Sequence, residues 1–249
     1  MTAHFTAAHF TPALTAVLWI VVLIGTIGLP ISVARALRRR GVLFGTVWLA
    51  SWSAWIVVSG VLAYAGVYAQ RTDAVVVSLP IAFLTAFAAA YAFVGPADLA
   101  GLTRGHAFRV AGVGFLLAWA AGQLPAVFAL PAGFGDIAVG LAAPAVAARL
   151  AVAGSGSGSS DSDSDSGSTR ARALWFHALG LLDLVVALGL GVAAALGPVR
   201  ILSVEPSTAD AMLLPIVLIP TTAVPLLAAM HVRALLRLRH APAPRPVLA

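Results

Sequence analysis

Seven times along this chain a run of roughly 20 apolar residues, about the number that spans a bilayer as a helix, ends in a short polar or arginine-bearing segment. No soluble core of this size hides that much apolar surface. Apolar residues make up 61% of the 249, charged residues only 10%, and the mean hydropathy is +0.99. In lipid every backbone N–H and C=O must be satisfied within the protein, so unbroken runs of this length are expected to be helices. Barrel strands would show short alternating segments, and these runs do not alternate. The expected fold is therefore all-α: one polytopic transmembrane helix bundle over residues 1–249, with the bilayer as its principal partner.

The spans are expected at 12–34, 42–68, 75–94, 110–128, 134–150, 173–196 and 211–230. Leu130-Pro131-Ala132-Gly133 is read as the turn of a hairpin between the fourth and fifth. All 15 basic residues are Arg, and 13 of them fall in segments that seven crossings place on one side. These are Arg35 and Arg38 to Arg40; Arg104 and Arg109; Arg149, Arg170 and Arg172; and Arg233, Arg237, Arg239 and Arg245. The positive-inside pattern then puts the N-terminus outside and the C-terminus in the cytoplasm, in an inner (plasma) membrane. The same pattern explains the net charge of +6, so no nucleic-acid partner is expected. The opening MTAHFTAAHF lacks a positive n-region, and the first run is read as a retained span.

Residues 154–170, rich in Gly, Ser and Asp, read as a disordered cytoplasmic loop, and 240–249 as a Pro-rich tail. Asp161, Asp163 and Asp165 imitate the start of a calcium loop. Gly167 comes one place late, and Arg172 stands where the closing Glu is needed. With no cysteine there is neither thiol chemistry nor cysteine-ligated metal. The chain has no Lys either, which rules out a retinal Schiff base.

The informative residues are those that are costly in lipid. Asp183 lies near the middle of the sixth span, with Gly180, Ala187 and Gly191 on or near its face. A carboxylate there must face protein or water. It reads either as a proton or cation carrier or as a hydrogen-bonded strut between helices. Asp136 lies near the outer end of the fifth span, where a first-turn carboxylate also favours the helix dipole. Gly133-Phe-Gly-Asp136 and Gly180-Leu-Leu-Asp183 sit on spans of opposite direction, as in an inverted repeat. Gln123 and Pro125 are expected close to Asp136 across the hairpin.

The seventh span carries Pro215, Pro220 and Pro225, with Thr221 and Thr222 between the last two. Each Pro frees a carbonyl one turn back. Such a helix reads as a broken transporter helix or as a kink healed by the Thr hydroxyls. His177 and His231 are expected at matched depth, a pair that would suit a haem iron, while His106 is read into the loop. Otherwise neither metal nor cofactor is expected. Trp48, Trp52 and Trp55, at helical spacing, read as packing surface rather than a chromophore box.

The segments FRVAGVGFLLAW, GQLPAVFALPAGFGDIAVGLAAP, ALGLLDLVVALGLG and LIPTTAVPLLAAMH together resemble a group of uncharacterised bacterial multi-pass membrane proteins. The resemblance covers the second half of the chain and implies a class, without a mechanism.

Two functions fit these residues. One is a small-solute or proton-linked transporter using Asp136, Asp183, Pro220, Thr221 and Thr222. The other is a non-catalytic assembly or sensor component that pairs with itself or a membrane partner. No complete catalytic constellation is present, so enzyme activity is the less favoured class.

Overall fold

Thr11 opens the first helix: its hydroxyl accepts from the Leu14 N–H at 3.3 Å, and Pro12 takes the first helical position, where no N–H is needed. A computed structural model describes residues 11–38, 41–68, 75–154, 162–195 and 200–240. Every regular element among the described residues is helical. They are α1 (Pro12–Leu37), α2 (Val42–Tyr64), α3 (Val75–Val94), α4 (Leu99–Gly105), a 3-10 segment (His106–Gly112), α5 (Val113–Ala120), α6 (Ala126–Gly154) and α7 (Ser162–Ala193). A short 3-10 turn (Ala209–Met212), a π-helical turn (Ile219–Ala223) and α8 (Val224–His240) follow.

Among the described residues, six helices are long and apolar enough to cross a membrane: α1, α2, α3, α6, the Gly167–Ala193 part of α7, and Ile219–His240. The expected fourth span is different in kind. It is a rod of three pieces, α4, the 3-10 segment and α5, that starts at Leu99 instead of Val110 and ends at Ala120. Gly105, His106, Gly112 and Val113 all keep right-handed helical dihedrals, so the rod changes winding without an extended break. The glycines at both ends of the 3-10 segment weaken regular α-winding there.

The hairpin turn lies at Ala121–Pro125, not at Leu130–Gly133. Gly122 takes φ +72°, which an L side chain resists, and Pro125 sits just before α6. Pro131 and Pro144 are both inside α6, which runs unbroken through them. The last expected span also shortens: residues 213–217 are a bend and turns, and only from Leu218 does the chain wind continuously. α7 begins at Ser162, within the stretch read as a loop, while residues 155–161 and the 241–249 tail fall outside the described residues.

Two large apolar clusters, and a small third one around Tyr68, Ala82 and Val217, hold the described part of the bundle. One joins α1, α2, α3 and α8 around Leu29, Trp48, Val94, Leu226 and Met230. The other joins α1, α5 and α6 around Leu18, Phe115 and Phe128, with Ala211 and Ile216. The tryptophan stripe is packing surface. Trp48 and Trp52 stack at 4.8 Å, and the indole N–H groups of Trp48 and Trp55 donate to the Pro30 and Thr221 carbonyls, each at 2.9 Å.

Loop arginines collect at one end of the bundle. Arg35 and Arg104 line a cleft with Leu150 and Gly154, and Arg170 donates to the Leu238 carbonyl. Arg233 and Arg237 reach the end of α3, donating to the carbonyls of Tyr91 (3.0 Å) and of Gly95 and Ala97.

Candidate functional site

Arg109 was expected in a cytoplasmic loop; it lies instead at the centre of the helices with its side chain fully buried. Its guanidinium bridges α6 and α7. Nε donates to Asp136 Oδ1 of α6 at 2.6 Å, and Nη2 donates to Asp183 Oδ2 of α7. Nη1 donates to the Gly180 carbonyl at 2.9 Å. A buried guanidinium needs such neighbours, because moving an unpaired charge out of water costs several kcal/mol. The sequence supplies them at two carboxylates set within long apolar helices, which would be equally costly alone.

Glycine makes the approach possible. A Cβ on Gly135 would overlap the Asp183 carboxyl, and one on Gly180 would fall 2.5 Å from His231 Cε1. So the matched Gly-containing segments of α6 and α7 place their acids on the same cation. Asp136 and Asp183 keep a little exposure, 15% and 18% of their side chains.

Asp136 stands between two hollows. A cavity of about 290 Å³ runs inward from Val75, Ala195 and Thr208, the end opposite the arginines, to Asp136 and Leu184. Among its lining residues only Asp136 and Thr208 have polar side chains. A smaller cavity of about 40 Å³ lies against Arg109, Asp136 and Thr26. That is room for water, which needs only about 10–15 Å³ of this kind of volume and a few polar partners.

The three buried histidines form an ordered chain beside Arg109. A guanidinium only donates, so His231 Nε2, 3.2 Å from Arg109 Nη1, is an acceptor. The His231 proton is then on Nδ1, which faces His177 Nδ1 at 2.9 Å. His177 in turn donates from Nε2 to the Thr103 hydroxyl at 3.1 Å, and Thr103 donates to the Leu99 carbonyl at 2.8 Å. His106, also read into the loop, is fully buried and stacks on His231 with ring centroids 3.8 Å apart. Two trans ligands of a haem iron stand about 4 Å apart at the Fe–N bond lengths usual for imidazole, about 2 Å each. At 2.9 Å the His177 and His231 Nδ1 atoms leave no room for a porphyrin between them.

The other expected residues are placed differently. The Pro220 ring lines the larger cavity. Thr221 and Thr222 turn their hydroxyls back to the Val217 (2.7 Å) and Leu218 carbonyls, healing the chain where Pro220 brings no N–H. Both hydroxyls are thus spent on the backbone of their own segment rather than on a carboxylate. Gln123 is half-buried and donates to the Ala121 carbonyl at 3.4 Å rather than to Asp136. Sequence reasoning missed Arg109, His106 and Thr103. The signal for Arg109 was its place inside the apolar run FRVAGVGFLLAW, where a buried cation requires buried acids.

No curated protein and no solved structure matches the chain. The profile of DUF8737, a domain of unknown function, matches residues 67–239, from just before α3 through nearly all of α8 and including every residue of the site. The chain therefore belongs to the DUF8737 family.

Proposed function

We propose that this integral membrane protein is a proton-linked carrier of a small, largely apolar solute. The observation that carries the reading is the meeting of Asp136 and Asp183, from two helices, on buried Arg109 at the inner end of the 290 Å³ cavity. With both acids ionised the three groups sum to one negative charge. A proton on Asp183 Oδ2 neutralises that charge and breaks one of the two ion pairs, while Arg109 stays on Asp136 and Gly180. The tie between α7 and α6 is then reduced to the hydrogen bond from Arg109 to the Gly180 carbonyl, which loosens the two helices at mid-depth, where carriers of this kind place their site. The apolar lining with a single carboxylate fits a small amphipathic base better than a sugar or a phosphate.

The reading includes seven crossings, with the α4-to-α5 rod as the fourth, the arginine-bearing end in the cytoplasm and the cavity mouth outside. The positive-inside rule supports this orientation.

The test uses proteoliposomes loaded with a pH-sensitive dye. Adding members of a panel of small amphipathic amines should move protons through the wild-type protein. Asp183→Asn, which keeps the size and an acceptor oxygen, should bring that flux to the level of empty vesicles. Solute-driven flux unchanged in Asp183→Asn, or absent from the wild type across the panel, would overturn the reading.

A further inference from the structure

The proton-linked reading uses Arg109 and the two acids, and it leaves the three histidines without a task. His106 comes from the 3-10 segment, His177 from α7 and His231 from α8, and all three are fully buried. One ligand nitrogen from each lies within 4.8 Å of the others. Imidazole suits zinc, cobalt, nickel and ferrous iron, and three histidines with a fourth position open is a known zinc arrangement.

Two details go beyond proximity. His177 is already set as a metal ligand would be: its Nε2 is tied to Thr103, which is tied to Leu99, so Nδ1 presents its lone pair inward. That lone pair meets His231 Nδ1 at 2.9 Å. Nitrogens on one ion at bonds of about 2.1 Å stand roughly 3.0–3.4 Å apart, so an ion replaces the shared proton after an opening of a few tenths of an ångström. The second detail is His106. Among the described residues neither of its ring nitrogens has a hydrogen-bond partner, although the ring is fully buried. Buried polar groups without a partner are rare enough to need an explanation. Its ring lies over His231 at 25°, so a turn about its Cβ–Cγ bond brings a nitrogen lone pair towards the ion.

We propose that His106, His177 and His231 form a buried binding site for one divalent transition-metal ion, and that the ion and Arg109 compete for His231. The competition follows from the proton count. An ion on His231 Nδ1 moves the ring hydrogen to Nε2, which then faces the Arg109 N–H, donor against donor. Arg109 must give up that contact and rest on Asp136, Asp183 and Gly180 alone. The two carboxylates outweigh the guanidinium by one charge, so the cation enters a region whose net charge favours it.

Full-length protein in detergent, stripped with chelator and loaded with Co²⁺, tests this without any transport assay. Desalted wild type should retain about one cobalt per chain by mass spectrometry and show visible d–d absorption. His177→Ala and His231→Ala should each lose both, and His106→Ala should bind at least tenfold more weakly. Asp183→Asn should still bind. X-ray absorption on the loaded wild type should count three imidazole nitrogens, a readout that does not depend on any variant folding. Cobalt far below one per chain in the wild type, an oxygen-only shell, or full retention in a folded His177→Ala protein would each overturn the proposal. Loss of flux in Asp183→Asn with cobalt bound would separate this site from the carrier reading.

Discussion

Removing Arg109 leaves two carboxylates facing each other with no cation between them. Arg109→Leu should destabilise the protein by about 3–5 kcal/mol, the cost of stranding buried charge. Replacing Asp136 and Asp183 by Leu in the same background should recover a large part of that loss, because an apolar substitute for a whole buried network is often neutral. Unfolding in mixed micelles measures both, and additive effects would count against the network. Gly135→Ala tests the other half of the geometry. Its methyl group enters the space of the Asp183 carboxyl, and a loss of about 1–3 kcal/mol is expected from the overpacking. At this scale the acids were legible and their partner was not. Asp136 and Asp183 stand out as lone charges in long apolar runs. Arg109 follows Arg104 and His106 closely, and the three together imitate a polar loop.

Among the elements, the contact of α8 with α3 shows how cations finish a helix. The carbonyls at and just beyond the end of α3 lack helical partners, and Arg233 and Arg237 supply donors where the dipole also favours positive charge. Arg233 adds a cation–π contact, with its guanidinium carbon 3.6 Å from the centre of the Tyr91 ring. Arg233→Ala should cost about 1–2 kcal/mol, and Tyr91→Leu about 0.5–1 kcal/mol, in the same unfolding measurement. Neither pairing is legible from the sequence, because residues 142 apart in the chain share no local pattern. The hairpin turn failed for a different reason. LPAG and GQLP are both Pro/Gly signals, but only Gly122 adopts a positive φ, while Pro131 is absorbed inside a long helix whose neighbours pack against it.

For the molecule as a whole, the lack of cysteine makes orientation simple to measure. Single cysteines at Ser203, on the exposed loop after α7, and at Ala153, exposed at the end of α6, mark opposite ends of the bundle. A membrane-impermeant thiol reagent applied to intact cells should label Ser203→Cys and leave Ala153→Cys unlabelled until the membrane is opened. The reverse pattern would invert the proposed orientation. The helical class and the six helices long and apolar enough to cross a membrane follow from hydropathy alone. The rod from Leu99 to Ala120 does not, because its polar first half is paired inside the protein and hydropathy counts residues without counting partners.

The central position of Arg109 also bears on how the chain is made. When the rod leaves the ribosome, the acids that neutralise its arginine have not yet been synthesised. Asp136 follows within the next helix, but Asp183 arrives only with α7. A lone Arg at mid-membrane is unfavourable by at least about 2.5–3.5 kcal/mol on insertion scales. The rod is therefore expected to remain at the protein-conducting channel, or at its margin, until α6 and α7 join it as a unit. A chain stopped after Gly154 should be cleared by membrane proteases faster than one carried through Ala193, and a pulse-chase comparison of the two would show the order of assembly.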